Sequence, residues 1–278
     1  APARDQPGTI SMKWATAIAE TTDLDLAIPS LLGQLQLQLA GTDPDLVMVF
    51  FSDSFRDRSR DLQHRLRGAW PQATLAGCTA LGIIGAGREV EQRPAISLCA
   101  ASLPGVDVVA RHVDTDRLPD EDAPQGAWKH VLDLDEWDHA DLVVLADPFS
   151  ASIESLLSGL DFAWPQGTKI GGLASGGGQA GENILVAGDD AHTFGTVMLA
   201  FRGDVAIDPI VAQGCRPIGE PLAVTCCERN LVLELDGRPP VEYLKELLPR
   251  LSAYDRELLS TSLFLGLQMD PLNSAPVQ

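Results

Sequence analysis

Part of this sequence occurs twice, and that duplication limits what the chain can fold into more than any other feature. Asp45-Leu46-Val47-Met48-Val49-Phe50 resembles Asp141-Leu142-Val143-Val144-Leu145-Ala146. Further on, Ala69-Trp70-Pro71-Gln72-Ala73-Thr74 resembles Ala163-Trp164-Pro165-Gln166-Gly167-Thr168. Asp and Trp lie 25 residues apart in the first copy and 23 in the second. Each Trp-Pro-Gln leads into a short apolar run ending in small residues, Leu75 to Ala80 and Ile170 to Ser175. A further apolar strand comes after each, Ala95 to Ala100 and Gly195 to Ala200. Matched elements in one order mark one supersecondary unit used twice, each copy burying part of the other's apolar surface.

Local patterns give the unit its shape. Leu46 to Phe51 is a continuous apolar run of the kind found in a strand buried on both faces. Ser52-Asp53-Ser54 supplies N-cap residues for a helix to about Ala69, which Pro71 stops. In the second copy, Ser150 or Ser152 caps a helix whose Ile153, Leu156, Leu157 and Leu160 share one face, and Pro165 comes after it. Met12 to Ala19 and Leu24 to Leu39 read as a preceding strand and helix, and Ile184-Leu185-Val186 as a strand. The acidic stretch 114–138 reads as a linker or surface loop between the halves. Beyond the second copy, Val205 to Ile207, Ile210 to Ala212 and Leu231 to Leu235 are strand-like. Asp236-Gly237 is a turn signal, and Pro240 opens a helix from Val241 to about Leu251. The expected fold is therefore α/β: mixed sheets with outer helices, in two pseudo-symmetric repeats packed together. The expected domains are 1–113 for the first repeat, 114–138 for the linker, and 139–278 for the second repeat together with the C-terminal strands and helix.

Charge narrows the partners. The 278 residues carry 20 Lys and Arg against 39 Asp and Glu, a net charge of −19. Such a field opposes nucleic acid and anionic membrane. No apolar stretch is long enough to span a bilayer. The five cysteines are few and odd in number, as expected of a reducing, cytoplasmic setting rather than a disulfide framework. Ala1 to Asp5 has no apolar core of a secretory leader, and the absence of an initial Met leads us to expect that some sequence once preceded it.

Several segments invite a chemical reading. Gly171-Gly172-Leu173-Ala174-Ser175-Gly176-Gly177-Gly178 is rich enough in glycine for a nucleotide loop, but a strand pattern comes next where a helix is needed. A close-packed turn or lid is the better expectation. Gly77-Cys78-Thr79 occupies the matching place in the first copy. A thiol there is a candidate nucleophile only with a base nearby and a lowered pKa; a buried inert cysteine is the alternative. The five histidines show no zinc-ligand spacing, although a single one, His64 or His192, would suffice as an axial haem ligand. Arg56, Arg58, Arg60, Arg65 and Arg67 make the second helix locally basic. Arg216, between Gly214 and Pro217, is placed to clamp a carboxylate or to pair with Asp236.

Gly77-Cys78-Thr79-Ala80, Gln213-Gly214-Cys215-Arg216-Pro217-Ile218-Gly219 and Leu233-Glu234-Leu235-Asp236-Gly237-Arg238-Pro239 together resemble the FIST domain family. The first matches its N-terminal half and the other two the start of its C-terminal half, in that order. The resemblance implies a sensory domain that binds an amino acid or similar small anionic metabolite without turnover. It also implies that the C-terminal half stops short here. Some bacterial relatives bind haem, so haem is carried as an alternative cofactor, with none expected. On motif grounds the ligand contacts are Cys78, Thr79, Ser175, Gly176 and Arg216, gathered where the two small-residue loops meet. The rival readings are a haem-based gas sensor, a protein-interaction scaffold and a cysteine-dependent enzyme.

Overall fold

The computed structural model describes residues 11–120, 122–210, 217–228, 231–261 and 263–266. Strand β1 (Lys13–Ala19) leads to helix α1 (Leu24–Gln38), β2 (Leu46–Phe51), a 3-10 turn (Asp53–Arg58), α2 (Ser59–Ala69) and β3 (Thr74–Thr79). The hairpin β4 (Gly82–Gly85) and β5 (Arg88–Glu91) precedes β6 (Ile96–Ser102). Next come β7 (Val106–Val113), α3 (Gln125–Val131), β8 (Asp141–Ala146), α4 (Ile153–Ala163) and β9 (Lys169–Leu173). A second hairpin, β10 (Leu185–Ala187) and β11 (Asp190–His192), precedes β12 (Thr196–Gly203). The remainder holds β13 (Val224–Glu228), β14 (Leu231–Leu235), α5 (Pro240–Leu247) and α6 (Ala253–Thr261). Contacts divide the chain into two units, Ala1–Pro209 and Ile210–Gln278.

The first unit is built on two sheets. One has the order β1-β6-β2-β3-β10-β11, the other β7-β12-β8-β9. The four-strand orders β1-β6-β2-β3 and β7-β12-β8-β9 correspond in every pairing sense: antiparallel, antiparallel, then parallel. The parallel pairs are joined by α2 and α4, as parallel strands require a crossover. Each sheet buries one face under its own helices. Val47, Val49 and Phe51 of β2 meet Leu31 and Leu35 of α1 and Leu62 and Leu66 of α2. Leu142 and Val144 of β8 meet Leu156 and Leu160 of α4 and Trp128 of α3. The other faces meet one another in a third cluster, with Leu46, Ala76 and Cys78 from one sheet and Leu145, Val197, Leu199 and Phe201 from the other. Two sheets face to face with helices outside is the expected α/β architecture.

The correspondence reaches individual backbone angles. Trp70 and Trp164 are the C-caps of α2 and α4, at φ −135°, ψ 79° and φ −135°, ψ 77°. Gly77 of β3 and Gly171 of β9 are each pressed so close to the neighbouring strand that an added Cβ would lie 1.8 Å from a carbonyl oxygen, of Val49 and of Val144. The ladders do, however, shift one match made from the letters alone. Leu46 pairs with Thr74 and Leu142 with Lys169. With Thr74 matched to Thr168, the position of Asp141 corresponds to Leu46, not to Asp45. A slip of one residue exchanges the faces of a strand, and the ladder's alignment is the one that keeps Val47 and Leu142 both toward helices.

Strands also cross the expected halves. β7, placed in the first repeat, heads the second sheet, while β10 and β11, from the second repeat, extend the first. The acidic stretch 114–138 is not a loop. It contains α3, and Trp128, Leu132, Leu134 and Trp137 enter the core of the second sheet. Its acidic residues hide an apolar spacing that net charge does not reveal. Val205 to Ile207 form no strand, although Val205 and Ile207 pack against the intersheet core.

In the second unit, β13 and β14 pair antiparallel. Asp236 and Gly237 take φ of 48° and 75°, as a two-residue hairpin turn requires, and Leu235 and Arg238 exchange both backbone hydrogen bonds around them. Among the described residues, no helix is long and apolar enough to cross a membrane.

Candidate functional site

The two small-residue loops do meet, but as a bonded seam. Ser175 N–H donates to Thr79 O at 3.1 Å, and Leu81 N–H donates to Ser175 Oγ at 3.0 Å. Thr79 is fully buried; its hydroxyl accepts from Ile184 N–H at 3.1 Å and faces Asn183 Oδ1 at 3.4 Å. From Asn183 a buried chain of polar groups runs on. Asn183 Nδ2 donates to Asp147 Oδ1 at 3.0 Å, Ser150 Oγ donates to Asp147 Oδ2 at 2.5 Å, and Gly195 N–H donates to Ser150 Oγ at 2.9 Å. Every member has a partner, which buried polar groups need. Ser150, expected as a possible N-cap of α4, is part of this chain instead.

The glycine-rich loop has likewise committed its amides. Gly177 N–H donates to Asn183 Oδ1 at 2.9 Å and Gly178 N–H to Glu182 Oε2 at 2.7 Å. The Gly178 bond, opposed in part by burial, holds the Glu182 carboxyl below its ordinary pKa, with the Arg56 charge adding to the effect. The chain's own side chains thus fill the place in which a small anion was expected.

Cys78 lies in β3 within the intersheet core, and burial pushes its thiol up to about 12. It is protonated at neutral pH, the opposite of what a nucleophilic cysteine needs. Burial also raises Cys99. Of the five expected contacts, Thr79 and Ser175 are joined to each other by structure, Cys78 is sealed, Gly176 packs against Asp53 and Ala80, and Arg216 lies outside the described residues.

Two open clefts lie elsewhere in the first unit. One, of about 460 Å³, is lined by Arg60, Gln63, His64, Arg67, Asp189, Asp190 and Ala191. Its walls are polar and largely committed: Arg67 pairs with Asp189 at 2.7 Å and Gln63 Nε2 donates to Gly188 O at 2.8 Å. Here the basic face of α2 meets the β10–β11 turn. Arg65 of the same helix turns instead to Asp61 and Asp25.

The other cleft, of about 290 Å³, is lined by His112, Val113, Asp114, Arg117, Val131, His192 and Phe194. It forms where β7, an edge of the second sheet, ends beside β11, an edge of the first. Gly195, at φ 77°, makes this approach possible; a Cβ there would lie 2.4 Å from Val113 O. The rings of His112 and His192 stack at 3.5 Å with 2° between their planes, and Phe194 meets His112 edge-on at 5.1 Å. His112 Nε2 lies 2.8 Å from Phe194 O, so that nitrogen carries the proton and Nδ1 is left for other partners. Burial, and then the charge His112 would carry, lower the His192 pKa, while Asp190 acts against them. Arg117 makes no ion pair among the described residues, and Asp114 caps the short turn beside it by accepting from Asp116 N–H at 3.1 Å. The sequence marked His192 only as a possible haem ligand and did not mark Arg117. The residues lie far apart in the chain, and strand exchange between the sheets is what joins them.

Haem does not suit either histidine's surroundings. His64 stands among arginines and aspartates, and one face of the His192 ring is covered by His112. Neither offers the broad apolar walls that a porphyrin requires. Among the described residues, no cluster of three or more His, Cys, Asp or Glu is placed to hold a metal ion.

Residues 45–238 match the family model described as the FIST N domain. An uncharacterized protein of Mycobacterium tuberculosis is 31% identical over 267 residues, covering 96% of this chain and 68% of the relative. An uncharacterized protein of Mycobacterium bovis is 30% identical over 267 residues, covering 96% of this chain and 67% of the relative.

Proposed function

This chain belongs to the FIST family, whose domain is a sensory, small-ligand-binding one, and from that premise we propose that it binds an amino acid or similar small carboxylate, without turnover, in the His112–His192 cleft. The observation that carries the reading is the composition of that cleft. Val113, Val131, Phe194 and the stacked imidazoles form its apolar and aromatic walls, and Arg117, which makes no ion pair among the described residues, shares it with one carboxylate, Asp114. Small-molecule sites combine such walls with a few polar groups that set orientation. A free guanidinium holds a carboxylate through paired, charge-assisted hydrogen bonds. Asp114 offers the complementary contact to an ammonium group. At about 290 Å³ the space is near the lower end for ligand sites, matching a single amino acid better than a nucleotide.

Two features favour binding without turnover. The cysteine that a nucleophilic mechanism would use is sealed and protonated, and the paired imidazoles lean on each other rather than on a hydroxyl or thiol.

Thermal unfolding in the presence of each proteinogenic amino acid tests the proposal. A ligand at a hundredfold excess over its Kd stabilises the fold by about 2.7 kcal/mol. The expected result is stabilisation by a subset of amino acids, lost in Arg117→Ala and retained in Cys78→Ala. Stabilisation that survives Arg117→Ala, or none with any of the amino acids, overturns it. Mass spectrometry of co-purifying metabolites identifies the natural ligand, and a Soret band would favour haem instead.

A further inference from the structure

The His112–His192 cleft brings aromatic surfaces together at a right angle. The two imidazoles lie parallel, with centroids 3.5 Å apart and 2° between their planes. The Phe194 ring stands across the pair, at 84° to His112 with centroids 5.1 Å apart and at 83° to His192 with centroids 6.3 Å apart. The faces that the imidazoles turn to each other are in van der Waals contact and closed to a guest. What they present to the cleft is an outer face or an edge. Phe194 is 42% exposed, so the chain's own packing does not seal its ring. The corner is also held in place. His112 lies near the end of β7, His192 ends β11, and the turn carrying Phe194 is tied back to His112 by the bond between Nε2 and Phe194 O at 2.8 Å.

Charge limits the side chain of a guest. Among the described residues lining the cleft, Arg117 is the cation of fixed charge and Asp114 the carboxylate. An amino acid uses both for its own carboxylate and ammonium groups. A side chain with a further charge would enter without a partner, and an unpaired charge removed from water is strongly disfavoured. His192 does not supply the missing charge, because burial, and then His112, hold its pKa below the ordinary value and favour the neutral ring. Shape then separates the neutral side chains. A flat ring can stack on the imidazole pair and meet Phe194 edge to face, the two arrangements that aromatic pairs prefer. A branched or saturated side chain has no flat face to lay on the stack. The aromatic contact is worth about two- to tenfold in affinity beyond the area it buries.

We propose that this corner selects aromatic amino acids, phenylalanine being the simplest. The side-chain ring stacks on the imidazole pair against Phe194, while Arg117 and Asp114 hold the carboxylate and ammonium groups. The inference rests on the assignment of the cleft as an amino-acid site and adds which amino acids it takes. Phe194 is then the residue that sets specificity, and Arg117 the one that supplies affinity to any amino acid.

Calorimetric titration of the full chain with phenylalanine, leucine, glutamate, lysine and cyclohexylalanine, the saturated counterpart of phenylalanine, tests this. The expected result is that phenylalanine binds, that cyclohexylalanine binds about two- to tenfold more weakly, and that glutamate and lysine do not bind. Phe194→Leu keeps an apolar side chain at an exposed position, and should bring the affinities for phenylalanine and cyclohexylalanine together. Arg117→Ala should abolish binding of both. Ring protons of His112 and His192 should move upfield in the NMR spectrum on adding phenylalanine, and move less with cyclohexylalanine, which reports the stack without relying on a variant. Leucine, glutamate or cyclohexylalanine bound through Arg117 as tightly as phenylalanine overturns this inference and leaves the assignment of the cleft standing. So does a preference for phenylalanine that is unchanged in Phe194→Leu. Failure of every amino acid to bind overturns both.

Discussion

Among the described residues the first sheet continues past β3 and the second stops at β9, although four strands of each share one plan. In the first, β10 completes the outer side of β3 and β11 extends it. In the second, β9 is the last strand among the described residues, and β4–β5 packs instead against β1 and β6. The shared plan is held by backbone constraints: the glycine under each parallel pair and the Trp cap after each crossover helix. The difference lies in where a short hairpin goes, which depends on a few side chains such as Ile83 and Val90. Corresponding strands can therefore keep one frame while a short hairpin goes to different places.

Removing the caps tests the shared plan most severely. Trp70 and Trp164 are both buried, and truncating a buried Trp to Ala costs about 3–5 kcal/mol. Chemical denaturation should place Trp70→Ala and Trp164→Ala both in that range. The two should then separate in the milder Phe variants. Trp164 Nε1 donates to Trp137 O at 2.8 Å, a bond Phe cannot make, so Trp164→Phe should lose about 1 kcal/mol more than Trp70→Phe. Equal losses in the Phe pair would remove that distinction.

The glycines come next. Gly77→Ala and Gly171→Ala each force a methyl group against a carbonyl of the adjacent strand, and such overpacking costs about 1–3 kcal/mol. Urea midpoints should fall in both variants. A large effect at one site and none at the other would mean that the parallel pairs tolerate strain differently despite the same register.

Much of the frame was legible in the sequence because it rests on local signals. The apolar run of β2, the Pro after each Trp and the Asp236-Gly237 turn all act through their neighbours in the chain. The acidic stretch 114–138 misled because its charge masks Trp128, Leu132, Leu134 and Trp137, whose partners lie on β8 and α4. Asp45 and Asp141 match as letters yet take different tasks: one carboxylate receives Leu103 N–H, the other Thr168 N–H. The candidate site was the least legible part. Cys78 and Thr79 stood out by type, but burial decides whether a polar group meets a ligand, and burial at β3 depends on β10, more than a hundred residues later. Arg117 and His112 became neighbours of His192 only through the same strand exchange.

Smaller effects probe the points where the copies differ in chemistry. The ladders match Ser52 with Asp147, each directly after its strand. Ser52 Oγ accepts from Ala95 N–H at 3.1 Å, whereas Asp147 supports Asn183 and Ser150. Asp147→Ala would leave a buried amide and a hydroxyl without their acceptor, at about 1–3 kcal/mol; Ser52→Ala removes two neutral bonds, with Ala95 N–H and Ser54 Oγ, at about 1 kcal/mol each. The double variant Asp147→Ala/Asn183→Ala should lose less than the two single losses combined, since the pair shares one bond.

The smallest expected effect concerns pH, and it belongs to the cleft. His192 lies on β11, and burial followed by His112 holds its pKa below the ordinary 6.5, with Asp190 opposing. The folded state therefore favours the neutral ring. Its contribution to stability is fully present above pH 6.5 and is lost as pH falls below that value through the folded pKa, because the unfolded chain takes up the proton first. Between about pH 8 and about pH 5, wild-type stability should decline, and His192→Gln should decline less. The carboxylates of the chain titrate in both proteins, so the difference between the two slopes isolates the ring. An amino-acid carboxylate held by Arg117 beside the paired rings would favour the protonated imidazole, and so should flatten the wild-type slope in the same direction as the variant. Identical slopes in the two proteins without ligand would mean that the stacked pair carries no proton linkage.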